Sequence, residues 1–376
     1  MAYLIPDDPA LLGLRHLILI GGGRVRHPVA RSSLVPYVAE LWDHAPRRWL
    51  FDSFCLWPNH APSGRMIDAD VNLGTTVSGE GDFRAVPVPD PAELRDWEEV
   101  LETYFGAAGS LGALDAAVEE VAAALGAPPS PRNVVLTIPY PSPRQERFGR
   151  VGERELDFTT RTQSLDGATR ARLEAVEWFT TRCRERFAQG GYRHLRLLGY
   201  YWTFETVYRA WDVDDHWLLK ELRRRLPFER LLWIPFYASY NVHLLDDYRA
   251  YYFDAAFLQP NHLFYGASAG KTVEQAARDA RHRGAGVEME YDPFLPAARI
   301  SAAERHRRFA RYLDGGVTYG YMRESALAWF DGGLGLAAIE AGEVPAERPV
   351  YTQVARFVHR EYEPGDLTRA LRAPRA

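Results

Sequence analysis

Cysteine is scarce in this 376-residue chain, where Cys55 and Cys183 are the two that occur. Two thiols in separate apolar runs make no disulfide framework, so a packed core must hold the fold and both are expected as buried free thiols. Lysine is equally rare: Lys220 and Lys271 stand alone, and the remaining positive charge is guanidinium. No apolar run is long enough to cross a bilayer, which removes any membrane expectation. A basic-apolar-small leader is missing too, since MAYLIPDDPALLG opens on acids and prolines. The expectation is a soluble protein, cytoplasmic as written and secreted if a leader has been trimmed. A net charge of -5 gives no reason to expect nucleic acid as a partner. Oligomeric state cannot be read.

Apolar residues are abundant instead. At 47% they allow a large core and exclude disorder for most of the length. Ten Trp, 20 Tyr and 18 Phe exceed what a core needs. Because sugar faces stack on exposed rings, the surplus is a weak pointer to carbohydrate.

Short apolar segments alternate with helical ones. Strands are expected over 14–20, 49–57, 134–138, 195–202, 231–237, 253–258, 286–290 and 317–322. A Gly, Pro and Asp-rich long loop fills 60–92 after the second strand. Between the others, 111–125, 167–188, 272–283 and 302–313 repeat apolar residues at helical spacing. Crossovers of this length join parallel strands. The natural closure is a single-domain (β/α)8 TIM barrel of class α/β, with its core at 14–322 and a C-terminal wrap over 323–376; a doubly wound open sheet is the alternative. Gly21-Gly22-Gly23 ends the first strand without the GxGxxG spacing of a phosphate loop.

In such a barrel the chemistry sits at the C-terminal ends of the strands. Those ends carry Trp57, Asn59, Tyr140, Tyr201, Trp202, Glu205, Tyr237, Gln259, Asn261, Glu288, Glu290 and Tyr321. Glu288 and Glu290 stand two apart in GVEMEYD and so share one face of a strand expected to be buried on both sides. Acids there are costly unless they are paired or do chemistry. Glycosidic cleavage uses two carboxyls flanking the bond, one protonated and one ionised, with rings and amides to hold the sugar. Blander roles compete: Glu205 as a helix-start carboxylate, Glu288 as a partner of an Arg, Asp292 as a turn residue, and Trp202 and Tyr237 as core aromatics. His262 stands alone, without metal-ligand spacing.

LLGYYWTFE (197–205), LLWIPFYAS (231–239), FDAAFLQPNHLF (253–264) and GVEMEYD (286–292), supported by LFDSFCLW (50–57), LTIPYPSPRQERFG (136–149) and RYLDGGVTYGYM (311–322), run nearly the length of the chain. In them the sequence resembles a bacterial group, domain-of-unknown-function family 4855. The resemblance implies a glycoside-hydrolase-like barrel acting on bacterial or other complex polysaccharides. Glu205, Gln259, Asn261, Glu288 and Glu290 are the matching polar positions.

The leading expectation is a retaining glycoside hydrolase without cofactor or metal. Glu205 would be general acid/base and Glu290 nucleophile, with Glu288 as a supporting or alternative acid. Gln259, Asn261 and Asn59 would hold sugar hydroxyls, and Trp57, Tyr140, Trp202, Tyr237 and Tyr321 would supply stacking faces. A carbohydrate-binding barrel without turnover is the second reading. A metal-dependent sugar isomerase or epimerase built on Glu288, Glu290, Asp292 and His262 is the third.

Overall fold

Every barrel strand pairs with its sequence neighbours, and the last closes on the first. The structure, a computed structural model, describes residues 2–22, 25–67, 91–237, 242–266 and 272–373. The strands are β1 (His16–Gly21), β2 (Ser53–Trp57), β3 (Arg132–Ile138), β4 (Leu195–Trp202), β5 (Arg230–Trp233), β6 (Ala255–Leu258), β7 (Gly286–Glu290) and β8 (Leu327–Phe330). They form one closed parallel barrel. The fold is the α/β (β/α)8 TIM barrel that the alternation of segments predicts.

Helices return the chain between strands: α1 (Arg31–Val38), α2 (Leu94–Phe105), α3 (Ser110–Leu125), α4 (Leu165–Gln189), α5 (Asp215–Arg225), α6 (Val273–Arg283) and α7 (Ala302–Thr318). Each buries a stripe. In α2, Trp97, Val100, Leu101 and Tyr104 recur every three or four residues and are all buried. Three further helices, α8 (Gly335–Glu340), α9 (Arg348–Val358) and α10 (Asp366–Arg372), follow β8 among the described residues.

Alternation along the strands separates two cores. Ile18, Phe54, Leu56, Val134, Leu136, Val287 and Met289 pack outward beneath the helices. Leu17, Leu19, Cys55, Val135, Tyr201, Leu232, Phe257 and Ala328 fill the lumen. One irregularity alters this pattern. Between β3 and β4 the register slips, so that Val134 faces Leu197 and Val135 faces Gly199, leaving Leu198 as an extra residue. A bulge of one residue reverses the facing of everything beyond it. Tyr201 consequently enters the lumen, and Trp202 packs in the outer shell.

Two strand expectations are corrected. Residues 317–322 are not strand eight: α7 runs on to Thr318, Gly320 turns the chain at φ 86, and Tyr321–Glu324 is a short helix. The stripe of α7 extends because Gly316 lies against Phe357 so closely that a Cβ there would collide with the ring. Strand eight is Leu327–Phe330, inside the segment expected to wrap the barrel. The expected second strand likewise divides. Ala45–Trp49 pairs antiparallel with Ala39–Trp42 in a separate hairpin, and Ser53–Trp57 alone joins the barrel. Most of the expected long loop, 68–90, lies outside the described residues.

Candidate active site

β7 brings the acids inward. Because Val287 and Met289 pack outward, Glu288 and Glu290 take the lumen positions, 3% and 1% exposed. Glu288 is the deeper: burial pushes the Cys55 thiol up, and Glu288 lies close enough to add to that rise. Burial, then the charges of Glu290 and Glu205, hold the Glu288 carboxyl well above the usual range.

Glu290 ends the strand. Burial drives its pKa from 4.5 up to about 8, and the Glu205 charge adds to the rise. Opposing them, the Tyr312 hydroxyl of α7 donates to Glu290 Oε2. The Tyr312 oxygen is itself occupied, accepting from the amides of His262 at 2.9 Å and Leu263 at 3.3 Å. Its hydrogen is therefore directed at the carboxylate.

Glu205 lies three residues beyond β4 and is partly exposed. Gln259, buried just past β6, donates from Nε2 to Glu205 Oε1 at 3.0 Å and to the Ile234 carbonyl at 2.9 Å. Asn261 adopts a left-handed conformation, φ 52, and its amide lies 3.5 Å from Gln259 Oε1. Asn and Gly tolerate that backbone best, which explains an Asn at the turn. Glu205, Gln259, Asn261, Glu288 and Glu290 thus gather at one end of the barrel.

The expected aromatics divide. Trp57 faces the lumen, with Nε1 donating to Thr203 at 3.2 Å and its ring edge-on to Tyr201 and Phe330. Trp202 does not; the bulge turns it outward, fully buried against Tyr140. Tyr140 is also in the outer shell, donating to Asp215 at 3.1 Å beneath the Arg172 guanidinium. Tyr237 bonds Asp279 of α6 at 2.7 Å. Tyr321, in the short helix before β8, is fully buried and donates to the Tyr312 carbonyl, so it is no rim residue. Asn59 is half-buried, and its carbonyl accepts from Ile67 at 3.1 Å. Asp292 accepts from the Phe294 amide at 2.8 Å, as a turn residue does.

Tyr312, Thr203 and Phe330 escape the sequence reading as site residues, whereas Tyr201, read among the strand ends, does face the lumen. Tyr312 lies in an ordinary helical stripe, and only the packing of α7 on β6 and β7 reveals it. Among the described residues no set of three His, Cys, Asp or Glu side chains is grouped to hold a metal ion. A cavity of about 660 Å³ between α2 and α4 lies away from the carboxylates.

The family described as Domain of unknown function (DUF4855) matches residues 16–356. The chain belongs to this family. The match spans every barrel strand from β1 to β8, so DUF4855 describes the whole barrel and not one segment of it. No curated protein matches the chain. Among solved structures it is similar to a mutant of Xylanase10C from Cellvibrio japonicus in complex with xylopentaose, at 10% identity and a TM-score of 0.37. That similarity covers 88% of this chain and 60% of the other, so the chain spans less than two thirds of that protein.

Proposed function

We propose that this DUF4855 barrel is a glycoside hydrolase acting on a complex polysaccharide, with Glu205 as general acid/base and Glu290 as the attacking carboxylate of a retaining mechanism. The observation that carries this reading is the convergence of two acids, the charge of one opposing ionisation of the other. Glu205 follows β4 and Glu290 ends β7, both toward the C-terminal end of the barrel, and burial with the added charge of Glu205 raises the pKa of Glu290. Carboxyls so placed do not both ionise near neutral pH, and the pair retains a proton. One proton on the pair is what leaving-group protonation combined with nucleophilic attack requires.

Where the proton rests is contested by two effects. The Tyr312 hydrogen bond favours an ionised Glu290, whereas burial favours a neutral one and prevails in the free protein up to about pH 8. Cleavage in this reading needs Glu290 to lose its proton and Glu205 to hold one. Gln259 fixes the orientation of Glu205 through Oε1. Asn261 and Gln259 are suited to sugar hydroxyls, Trp57 to a pyranose face.

The near-complete burial of Glu288 and Glu290 favours a second reading, a glycan-binding barrel without turnover. One experiment separates the two. Neutral and amino polysaccharides are screened for released reducing ends, with Glu205→Gln as control. Release that is lost in the control supports the hydrolase. Glycan binding that survives both Glu205→Gln and Glu290→Gln, with no release from the wild type, supports the binding barrel.

A further inference from the structure

The loops leaving β1, β7 and β8, together with α1, α8 and residues of α3 and of the 39–49 hairpin, enclose a cavity of about 610 Å³. Val25 and Arg26 come from the first loop, Phe294 from the second, Gly333 and Leu334 from the third. All three loops leave the C-terminal ends of their strands, so the part of the cavity that they line lies toward the face that carries Glu205 and Glu290. Phe294 follows Glu290 by four residues on one segment.

The wall between cavity and lumen is thin. A Cβ on Gly333 would lie 3.0 Å from the Gly21 carbonyl oxygen, and one on Gly22 would lie 3.3 Å from the Phe330 ring. On its other side Phe330 meets Trp57, with ring centroids 6.2 Å apart. The wall is also fixed in shape. Gly332, Gly333 and Leu334 have consecutive positive φ of 75, 85 and 60, and Asp331 clamps them by accepting from Gly333 N at 3.2 Å and Leu336 N at 2.9 Å. A leucine keeps a left-handed backbone only where its surroundings enforce it.

The lining has a chemical character. Ser32 and Ser33 present hydroxyls, Phe294 a half-buried ring, and carboxylates outnumber cations. Glu120 is paired with Arg31 at 3.3 Å, and Glu340 with Arg348 and with His44, at 3.0 Å to the latter. Glu343 stands exposed at the lip, and Arg26 is the lining guanidinium. With Glu120 and Glu340 already paired, Glu343 stands against Arg26, so the lining offers a uronate or phosphate no net attraction and is suited to hydroxyls, with Glu343 free to meet an ammonium. The volume lies within the roughly 300–1,000 Å³ of small-molecule pockets.

We propose that this cavity is an accessory subsite for a neutral or amino-substituted stretch of glycan, lying along the rim from the carboxylate pair. The proposal rests on the reading of the chain as a glycan-acting barrel. It makes the preferred ligand a polymer, held at a second place beyond the bond to be broken.

The test is binding by the full chain of cello- and chitosan-oligosaccharides, as disaccharide and hexasaccharide, with oligogalacturonate as the anionic probe. A ring stack lost or a like charge introduced changes affinity by about five- to tenfold. Phe294→Ala and Ser33→Arg are therefore expected to weaken hexasaccharide binding by about that factor while disaccharide binding stays within about twofold. Glu343→Lys should raise oligogalacturonate binding. Circular dichroism and melting curves confirm that the variants fold. Folded variants that leave hexasaccharide binding unchanged overturn the subsite. Should the wild type still cleave and Glu205→Gln not, the hydrolase reading survives that result. Binding that responds to the rim variants without any cleavage keeps the subsite and removes the hydrolase. No binding of any probe removes both.

Discussion

Tyr312 donates its phenolic hydrogen to Glu290 Oε2 while the His262 amide, 2.9 Å away, occupies the phenol oxygen. This fixes the direction of the donor and ties α7, the loop after β6 and the end of β7 to one atom. Replacing Tyr312 by Phe removes the group that lowers the Glu290 pKa and leaves the His262 and Leu263 amides without their acceptor. The loss should destabilise the fold by about 1–3 kcal/mol. The alkaline ionisation of Glu290 should move further up, as followed by carboxyl NMR titration.

The pH dependence of stability has a definite sign. Folding raises the Glu290 pKa from 4.5 to about 8, so between those values the folded state binds the extra proton. Its contribution is fully present below about 4.5 and is lost as pH rises through 8, at roughly 1.4 kcal/mol per unit. Glu290→Gln removes that penalty. The variant should melt higher than the wild type at pH 8, with the advantage fading at pH 5. An equal shift at both pH values would count against a buried, elevated carboxyl.

Activity offers an independent sign. If Glu290 attacks as carboxylate, kcat/KM on a released-sugar assay rises with pH toward about 8 as the group ionises. If it is instead the proton donor, the rate falls through the same range. Glu205→Gln should lower turnover on the order of 10²–10⁴-fold.

Two tryptophans should behave oppositely. Trp202→Ala empties a fully buried outer-shell site and should cost about 3–5 kcal/mol in a denaturant melt. Trp57→Ala lies in the lumen beside Phe330 and should weaken glycan binding by about five- to tenfold with a smaller loss of stability.

Arg172 and Asp215 form a pair 2.6 Å apart, 1% and 0% exposed, that also holds Tyr140 and the backbone of Tyr208 on the segment carrying Glu205. Asp215→Ala leaves the guanidinium buried without its partner, a loss of roughly 3–5 kcal/mol. A chemical melt measures it.

The strands with plain signals were legible in the sequence. The bounds 286–290 for β7 match, because an apolar strand with two same-face acids has one way to lie, and 195–202 for β4 match as well. What failed depended on partners distant in sequence. The 317–322 stretch alternates like a strand, but Phe357 and Tyr312 hold it as helix end and short turn. The true β8 is four residues long, too short for periodicity to show. Trp202 was misplaced by a slip that depends on β3, and Tyr312 carries no local mark of its role.

The extra residue at Leu198 has a wider consequence. Strand parity here is counted, so what the lumen displays is set by chain length as much as by residue identity. Removing Tyr200 while the slip is kept would turn Tyr201 outward and Trp202 inward, exchanging a phenol for an indole at the inner wall without altering any other letter. A single codon deletion in this strand is thus a larger chemical change than most substitutions, and a route by which one barrel could acquire a different inner surface in a single step.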